Sequence, residues 1–336
     1  MTIREETERL EGQIFSPYAA FSARSLGRDI EEEPCDIRTV YQRDRDRILH
    51  SKSFRRLKHK TQVFLSPRGD HYRTRLTHTL EVSQLSRTIA RALRLNEDLA
   101  DAIALGHDLG HSPFGHAGER ALNEVCPLGF AHYEQSVRIV ELLEKNGEGL
   151  NLTKEVRDGI LNHTTKGSPF TLEGQIVRYC DKIAYINHDI DDAERAGILR
   201  EEDIPAHFRD AMGYTTRQRL NTLIHDVIGN SLGKDKIQMS VGMESMIYDL
   251  RSFMFTHVYQ NPLAKGEESK AITMVQMLYR YYCEHIDQMP AECIYLIHDR
   301  GEDERRVVCD YISGMTDQYA TQKFSELMIP TAWQPD

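Results

Sequence analysis

Apolar residues recur at the spacing of α-helices along nearly the whole sequence. Between His78 and Arg94 they fall about every three or four positions, the pattern of a helix that packs one face on a core. The same spacing continues in further segments of the chain: 96–112, 115–125, 133–144, 154–162, 172–196, 215–228, 242–258, 270–288 and 304–327. The sequence therefore predicts an all-α fold.

Signals for β-strands are few. Residues 61–66 and 70–75 flank Pro67, Arg68 and Gly69, and this segment is compatible with at most one short β-hairpin. No stretch rich in proline, glycine and serine divides the chain into halves. We therefore expect residues 1–336 to form a single composite helical domain.

Composition excludes several classes of protein. With 40% hydrophobic and 28% charged residues, the 336-residue chain has the make-up of a globular protein with a large core. Six cysteines without a Cys-x-x-Cys pair argue against a disulfide framework and against a zinc–thiolate site. No apolar run is long enough to span a membrane, and the first residues are charged rather than apolar. We expect a cytoplasmic protein with no membrane partner.

Charge is distributed unevenly along the chain. The net charge of −10 means that the surface as a whole should not attract nucleic acid. Between Lys52 and Arg75, however, eight lysines and arginines stand against one acid, Asp70. This basic segment indicates a local anion site, such as a pocket for phosphates.

Histidines are concentrated in one part of the chain. Six of the fifteen lie between residues 71 and 132, where a proportional share would be about three. The densest group lies within 105–119, where the helix that begins after its N-cap Asn96 should end ahead of Pro113. His107 and Asp108 would then lie at a helix end, facing a cavity.

Three side chains close to this pair add acid–base chemistry. His111 follows His107 by one helical turn. His116 and Glu119 are spaced i, i+3 on the next predicted helix, so they can hydrogen-bond as an acid–base pair.

A metal site needs ligands beyond His107 and Asp108. His78 lies at the start of its predicted helix, and the segment 176–193 supplies several acids, which spacing alone does not distinguish: Asp181, Asp189, Asp191 and Asp192. Two histidines with two aspartates suit Mn, Fe, Co, Ni or Zn and tolerate Mg less well. Such a set leaves coordination positions open for water and substrate oxygens.

These residues resemble a known family. His78, His107-Asp108 and Asp181 look like the pattern of the HD-domain phosphohydrolases, and more closely that of the bacterial deoxyguanosinetriphosphate triphosphohydrolase (dGTPase) and dGTPase-like proteins. The resemblance is carried by these blocks of sequence: 53–64, 73–82, 107–119, 132–136, 181–193 and 310–320.

The resemblance implies an HD-domain helical fold, with the metal-site core over residues 50–200 and additional C-terminal helices over 201–336. It also implies hydrolysis of deoxynucleoside triphosphates, dGTP or several dNTPs, to the deoxynucleoside and tripolyphosphate. One divalent ion per site would be required, with Mn preferred over Mg, Fe, Co, Ni or Zn. Because relatives assemble through helical surfaces, a homo-oligomer is expected.

The resemblance also assigns roles to single residues. The metal ligands would be His78, His107, Asp108 and Asp181, and the catalytic pair would be His116 and Glu119. Arg75, Lys182 and Tyr185 would contact phosphates, Asp189 the 3′ side of the sugar, and Gln62 the ribose, while His111 and His132 would line the phosphate site.

Two alternatives remain open. Another HD chemistry, such as that of a nucleotidase or phosphodiesterase, would use the same metal site and cleave a different bond. A nucleic-acid-binding regulatory protein with weak or vestigial activity would explain the basic segment 52–75, and single-stranded DNA would then be its partner. The sequence also leaves open the base preference and whether a second dNTP acts as an allosteric activator.

Overall fold

The computed structural model describes residues 1–62, 73–259 and 262–330. Sixteen α-helices account for most of them: α1 Ile3–Ile14, α2 Val40–Leu49, α3 Lys52–Arg56, α4 Arg75–Leu93, α5 Glu97–Gly106, α6 Gly115–Val125, α7 His132–Arg138, α8 Lys154–Leu161, α9 Leu172–Arg195, α10 Ala206–Met212, α11 Thr216–Ser231, α12 Val241–Met254, α13 Pro262–Glu284, α14 Ala291–His298, α15 Glu304–Ser313 and α16 Asp317–Met328. Short 3₁₀ and π segments connect or extend them: Ser22–Arg24, Leu57–His59, Ile139–Leu143, Lys145–Gly147, Glu201–Asp203, Phe255–Tyr259 and Ile286–Gln288. The all-α prediction is confirmed.

Helix α5 is the centre of the larger core. Its first turn is capped by Asn96, whose side-chain oxygen accepts hydrogen bonds from the backbone N–H groups of Asp98 and Leu99. Every residue from Leu99 to Gly106 is buried, and α2, α4, α8 and α9 pack around the helix. Because α5 ends at Gly106, the next residue His107 lies at the exit of this buried helix, as the sequence predicted.

A second hydrophobic core joins α6 to the C-terminal helices. It contains residues of α6 such as Leu122 together with Val275 of α13 and Ile312 of α15. Helix α6, together with Phe114 just before it, therefore belongs to the core of the C-terminal helices, while Leu109, in the turn after α5, belongs to the first core. The elements on either side of the predicted site are thus anchored in two separate cores.

Several sequence predictions need correction in detail. The predicted helix over 304–327 is broken, because α15 ends at Ser313 and Thr316 caps a new helix with its side chain. Helices α1, α2, α3, α10 and α14 were not predicted. Residues 63–72 of the predicted hairpin lie outside the described residues. In the described part of the chain, β pairing is limited to one isolated antiparallel bridge between Thr61 and Thr74.

Two other expectations concern covalent links and membranes. All six cysteines are free thiols, as their spacing predicted. Within the described ranges, no helix combines the length and the apolar character that a membrane span requires.

The close packing of α8 on α5 gives a test of the core. A Cβ added to Gly159 of α8 would lie 2.4 to 2.8 Å from three side-chain carbons of Ile103. Gly159→Ala should therefore lower the free energy of unfolding by about 1–3 kcal/mol. The measurement is chemical denaturation of the purified variant.

Gly12→Ala is the matched control. Gly12 also lies inside a helix, but no atom lies within 4 Å of the added Cβ. The helix propensity of alanine should make this variant more stable by up to about 1 kcal/mol. Equal effects of the two substitutions would contradict the packing described for α5 and α8.

Candidate active site

Two histidines and two aspartates from three helix regions converge at the end of α5. His78 comes from the first turn of α4, His107 and Asp108 follow α5, and Asp181 lies inside α9. The Nε2 atom of His78 is 3.1 Å from Asp181 Oδ1 and 3.9 Å from Asp108 Oδ2. The Nε2 atom of His107 is 3.5 Å from Asp108 Oδ1 and 3.7 Å from Asp181 Oδ1. The structure thus brings together the four predicted ligands.

The orientation of His107 fits a metal ligand. Its Nδ1 lies 2.6 Å from the carbonyl oxygen of Ala104, so this nitrogen carries the proton and donates it. The Nε2 atom is buried, and none of the described residues provides it with a hydrogen-bond partner. A buried nitrogen lone pair without a partner, next to two carboxylates, is the environment of a metal-binding histidine. The donor set therefore fits a divalent ion.

Asp108 is a buried charge that several partners compensate. Arg75 Nη1 donates to its Oδ2 at 2.9 Å, and His111 Nε2 lies 3.0 Å from its Oδ1. Burial alone would raise the pKa of Asp108, but His111, His107 and Arg75 together hold that pKa well below its usual range. Asp108 is therefore an anion, as a metal ligand must be.

The guanidinium group of Arg75 has N–H donors available for a ligand. Its side chain is 2% exposed, and its Nε and Nη2 atoms are buried without a hydrogen-bond partner in the described parts of the chain. A buried guanidinium with free N–H groups at the wall of a cleft is suited to bind an anion. This position agrees with the predicted phosphate contact.

Most of the other basic residues of the segment 52–75 serve a different purpose. Lys60 is buried, and its ammonium group donates to the backbone carbonyls of His111 and Ser313. Arg56 donates to the carbonyl of Gly314 at 2.9 Å. The basic segment therefore supplies Arg75 to the site, while Lys60 and Arg56 tie this region to the end of α15.

Glu119 hydrogen-bonds to His132. The carboxylate accepts from the backbone N–H of His132 at 2.9 Å and lies 2.9 Å from its ring Nδ1. The prediction placed Glu119 with His116 instead. One ring nitrogen of His116 does lie within 4.8 Å of a Glu119 oxygen and of a His111 nitrogen. Burial would raise the pKa of Glu119, but the hydrogen bond from His132 lowers it below the usual range.

Three histidine rings stack beside the ligands. The centroids of His111 and His132 are 4.0 Å apart at an interplanar angle of 12°, and His116 stacks on His111 at 5.8 Å and 8°. The ring of His116 faces the cleft, where desolvation by the surrounding protein and the positive charge of Arg75 lower its pKa to about 4.

Gly110 permits this close packing. A Cβ at this position would lie 2.2 Å from the carbonyl oxygen of His132 and 2.3 Å from the nitrogen of Ser136. Ser136 joins the two segments, because its hydroxyl donates to the His107 carbonyl and accepts from the Gly110 N–H, each at 2.8 Å. The turn after α5 is therefore held directly against α7.

Two adjoining cavities open beside the ligands. A narrow one, of about 140 Å³, is lined by the ligands His78, Asp108 and Asp181 and by basic side chains. A wider one, of about 550 Å³, lies beyond His116 and is lined by polar side chains and by the aromatic side chains of Phe114, Tyr185, Tyr248 and Phe255. The residues shared by both cavities are Gln62, His116, Tyr185 and Arg251.

The other predicted contact residues divide into two groups. Lys182 lines the narrow cavity, and Gln62 and Tyr185 line both. Asp189 is fully buried and interacts with Tyr185. Burial raises the pKa of Asp189 well above its usual range. The position of Asp189 behind the cleft leaves its predicted contact with the sugar a proposal.

Sequence reasoning missed several residues that line the narrow cavity. These are His163, Thr164, Thr165, Arg178 and Arg251. For His163 a signal existed, because it comes just after the predicted helix over 154–162, much as His107 comes at the end of its helix. Both rings donate from Nδ1 to the carbonyl three residues earlier, His163 to that of Ile160 at 2.7 Å.

Comparisons with known proteins agree with this geometry. The sequence matches the HD domain over residues 75–186 and the phosphohydrolase-associated domain over residues 237–326. It is 58% identical to a deoxyguanosinetriphosphate triphosphohydrolase-like protein of Caldanaerobacter subterraneus subsp. tengcongensis, covering 99% of this chain and 98% of the relative. Proteins with the same description from Desulfatibacillum aliphaticivorans and Clostridium perfringens are 46% and 49% identical over 98% of this chain, which is 99% and 98% of those relatives.

One solved structure supports the fold. A phosphohydrolase from Bacteroides thetaiotaomicron superimposes with a TM-score of 0.52 over 84% of this chain and 69% of that one, at 16% sequence identity. At this level of identity the similarity concerns the fold alone.

The ligand set predicts that metal binding stabilises the folded protein. After treatment with a chelator, addition of Mn²⁺ at about 100 times its Kd should stabilise the protein by about 2.7 kcal/mol. Asp181→Asn should lose most of this effect, because a neutral amide is a much weaker ligand for a divalent ion than a carboxylate. The measurement is thermal unfolding with and without Mn²⁺.

Asp191→Asn is the control for the choice among the neighbouring acids. Asp191 lies on the same helix, but its carboxylate pairs with Arg73 at 3.0 Å and accepts from the Thr216 hydroxyl. This variant should keep the full Mn²⁺ response. Loss of the response in Asp191→Asn, with retention in Asp181→Asn, would contradict the assignment of Asp181.

Proposed function

This chain belongs to the family of bacterial dGTPase-like HD phosphohydrolases, and we propose that it hydrolyses deoxynucleoside triphosphates to deoxynucleoside and tripolyphosphate at a divalent metal ion. The observation that carries the proposal is the pair of cavities that meet at His116. A narrow basic cavity at the metal ligands suits a chain of phosphates. The wider cavity lined by aromatic side chains suits a sugar and base. A nucleotide has both parts in this order.

The proposed metal ligands are His78, His107, Asp108 and Asp181. When bound, a divalent ion supplies Lewis acidity that polarises a phosphate oxygen and lowers the pKa of water in its coordination sphere. We propose Mn²⁺ as the first ion to test, because the set of two histidines and two aspartates suits first-row divalent ions.

The remaining residues bind and orient the substrate. Arg75 offers unused N–H donors to an α-phosphate next to Asp108, and Lys182 and Tyr185 line the same cleft. Arg178 and Arg251 add positive charge to the cavity walls. Preorganised donors of this kind stabilise the charge that develops on the phosphate oxygens.

His116 is the proposed general acid. Its ring lies where the two cavities join, and there the bond between the α-phosphate and the 5′ oxygen would lie. As hydroxide attacks phosphorus and the bond to the 5′ oxygen breaks, His116 would donate a proton to the leaving oxygen. The negative charge of a bound triphosphate raises the pKa of His116 from about 4, because it favours the imidazolium form. Glu119 and His132 complete the proposed acid–base group.

The product identifies the reaction. Purified protein with Mn²⁺ should be incubated with each dNTP and NTP, singly and in pairs, and the products identified by ³¹P NMR and chromatography. Tripolyphosphate with an unphosphorylated deoxynucleoside is the expected result. Pyrophosphate or orthophosphate would overturn this function in favour of another HD chemistry. Stimulation by a second dNTP in the paired reactions would indicate an allosteric nucleotide.

A double-mutant cycle tests how Glu119 acts. The contacts of Glu119 with His132 predict that it works chiefly through that ring. His116→Ala should lower kcat by about 10²–10⁴-fold, and Glu119→Gln by about 10–100-fold. In a His132→Ala background, Glu119→Gln should change kcat by no more than about twofold, since the partner is already gone.

The same substitution in a His116→Ala background distinguishes the two possible partners of Glu119. In His116→Ala, Glu119→Gln should retain most of its effect on kcat. If instead the two substitutions at 119 and 116 are non-additive while those at 119 and 132 add, the pair predicted from sequence, His116 with Glu119, is the functional one.

A further inference from the structure

A chain of hydrogen bonds leads from the metal site to the rim of the protein. The Nδ1 atom of His78 lies 3.2 Å from Nδ1 of His188, on α9. The other ring nitrogen of His188, Nε2, contacts the carboxylate of Glu81 of α4. Both histidines are buried, whereas the side chain of Glu81 is 42% exposed. None of the roles assigned above includes His188 or Glu81.

The tautomer of His78 decides whether it can bind a metal. Its Nε2 faces the carboxylates of Asp181 and Asp108, so this nitrogen must present a lone pair. The proton then lies on Nδ1, which needs an acceptor. The only ring atom of His188 within hydrogen-bond distance of it is Nδ1, at 3.2 Å.

Glu81 decides the tautomer of His188 in turn. The Nδ1 atom of His188 can accept from His78 only if the proton of His188 is on Nε2. A carboxylate at Nε2 favours this form, because it accepts a hydrogen bond and cannot donate one when ionised. Arg73 Nε lies 3.5 Å from Glu81, and Arg73 Nη2 lies 3.0 Å from Asp191. The positive charge of Arg73 next to Glu81 favours the ionised form of this carboxylate.

We propose that Glu81 and His188 are positioning residues that orient His78 as a metal ligand. The inference rests on the metal site of the proposed function. The other histidine ligand, His107, is oriented by a backbone carbonyl, which no substitution removes. Only His78 depends on side chains, so the affinity for the metal is set in part by two residues that do not touch it.

The test measures metal affinity directly. Mn²⁺ is titrated into metal-free protein and the free ion is followed by electron paramagnetic resonance, with no substrate present. His188→Ala should weaken Mn²⁺ binding by about 10–100-fold. Glu81→Gln, at a partly exposed position, should weaken it by a smaller factor.

A conservative variant separates orientation from a merely structural role. In His188→Asn, the side-chain amide oxygen occupies the position of the Nδ1 atom of His188 and can accept the hydrogen bond from His78. This variant should therefore recover most of the affinity lost in His188→Ala. His225→Ala removes an exposed histidine of α11 and should leave the affinity unchanged. Unfolding of the metal-free variants shows whether any loss of affinity is a loss of folding.

Each outcome decides between the two proposals. Wild-type affinity in both His188→Ala and Glu81→Gln would overturn the positioning role and leave the metal site intact. Equal losses in His188→Ala and His188→Asn would overturn the acceptor role. If the wild-type protein itself binds no Mn²⁺, the metal-dependent function fails and the positioning role falls with it.

Discussion

The site is organised around the buried carboxylate of Asp108. A buried anion costs several kcal/mol unless charges and hydrogen bonds compensate it. Here Arg75 of α4 contributes a donor at 2.9 Å and His111 a ring nitrogen at 3.0 Å. These partners come from different helical segments, so the carboxylate is stable only when α4 and the turn after α5 are packed together. Because Arg75 compensates Asp108, the first turn of α4 is held next to Asp108. His78 lies in the same turn and is therefore held there as well.

The same geometry separates rigid from adjustable parts of the site. His107 and His163 each donate to a carbonyl of the helix that precedes them, so their orientation follows from the backbone of α5 and α8. Glu119 and His132 are held by a contact between α6 and α7. The orientation of the His107 ring is thus set by the backbone, whereas that of the His132 ring depends on a contact between side chains of two helices.

How much of the structure could be predicted from the sequence depends on how far apart in the chain the interacting residues lie. Helical periodicity and the position of His107 and Asp108 at a helix end depend on neighbouring residues, so they were predictable. The choice of Asp181 came from family resemblance, because nearby acids have the same spacing. The contact between Glu119 and His132 spans thirteen residues and depends on how α6 meets α7. The side chain of Lys60 points into the protein because its ammonium group donates to the carbonyl of Ser313, far along the chain. No local sequence pattern reveals this contact.

The C-terminal helices hold the site in place as well as covering it. Asp317 accepts hydrogen bonds from the backbone N–H groups of Thr61 and Phe114, two residues of the cleft wall. Asp310 accepts from Gln135 and Arg138 of α7, the helix that begins with His132. Both acids lie in the sequence block 310–320 that carried part of the family resemblance, yet neither lines the two cavities. That block is therefore explained by its buried carboxylates, which tie the C-terminal helices to the N-cap residue of α6 and to α7, the two helices that carry the stacked histidines His116 and His132.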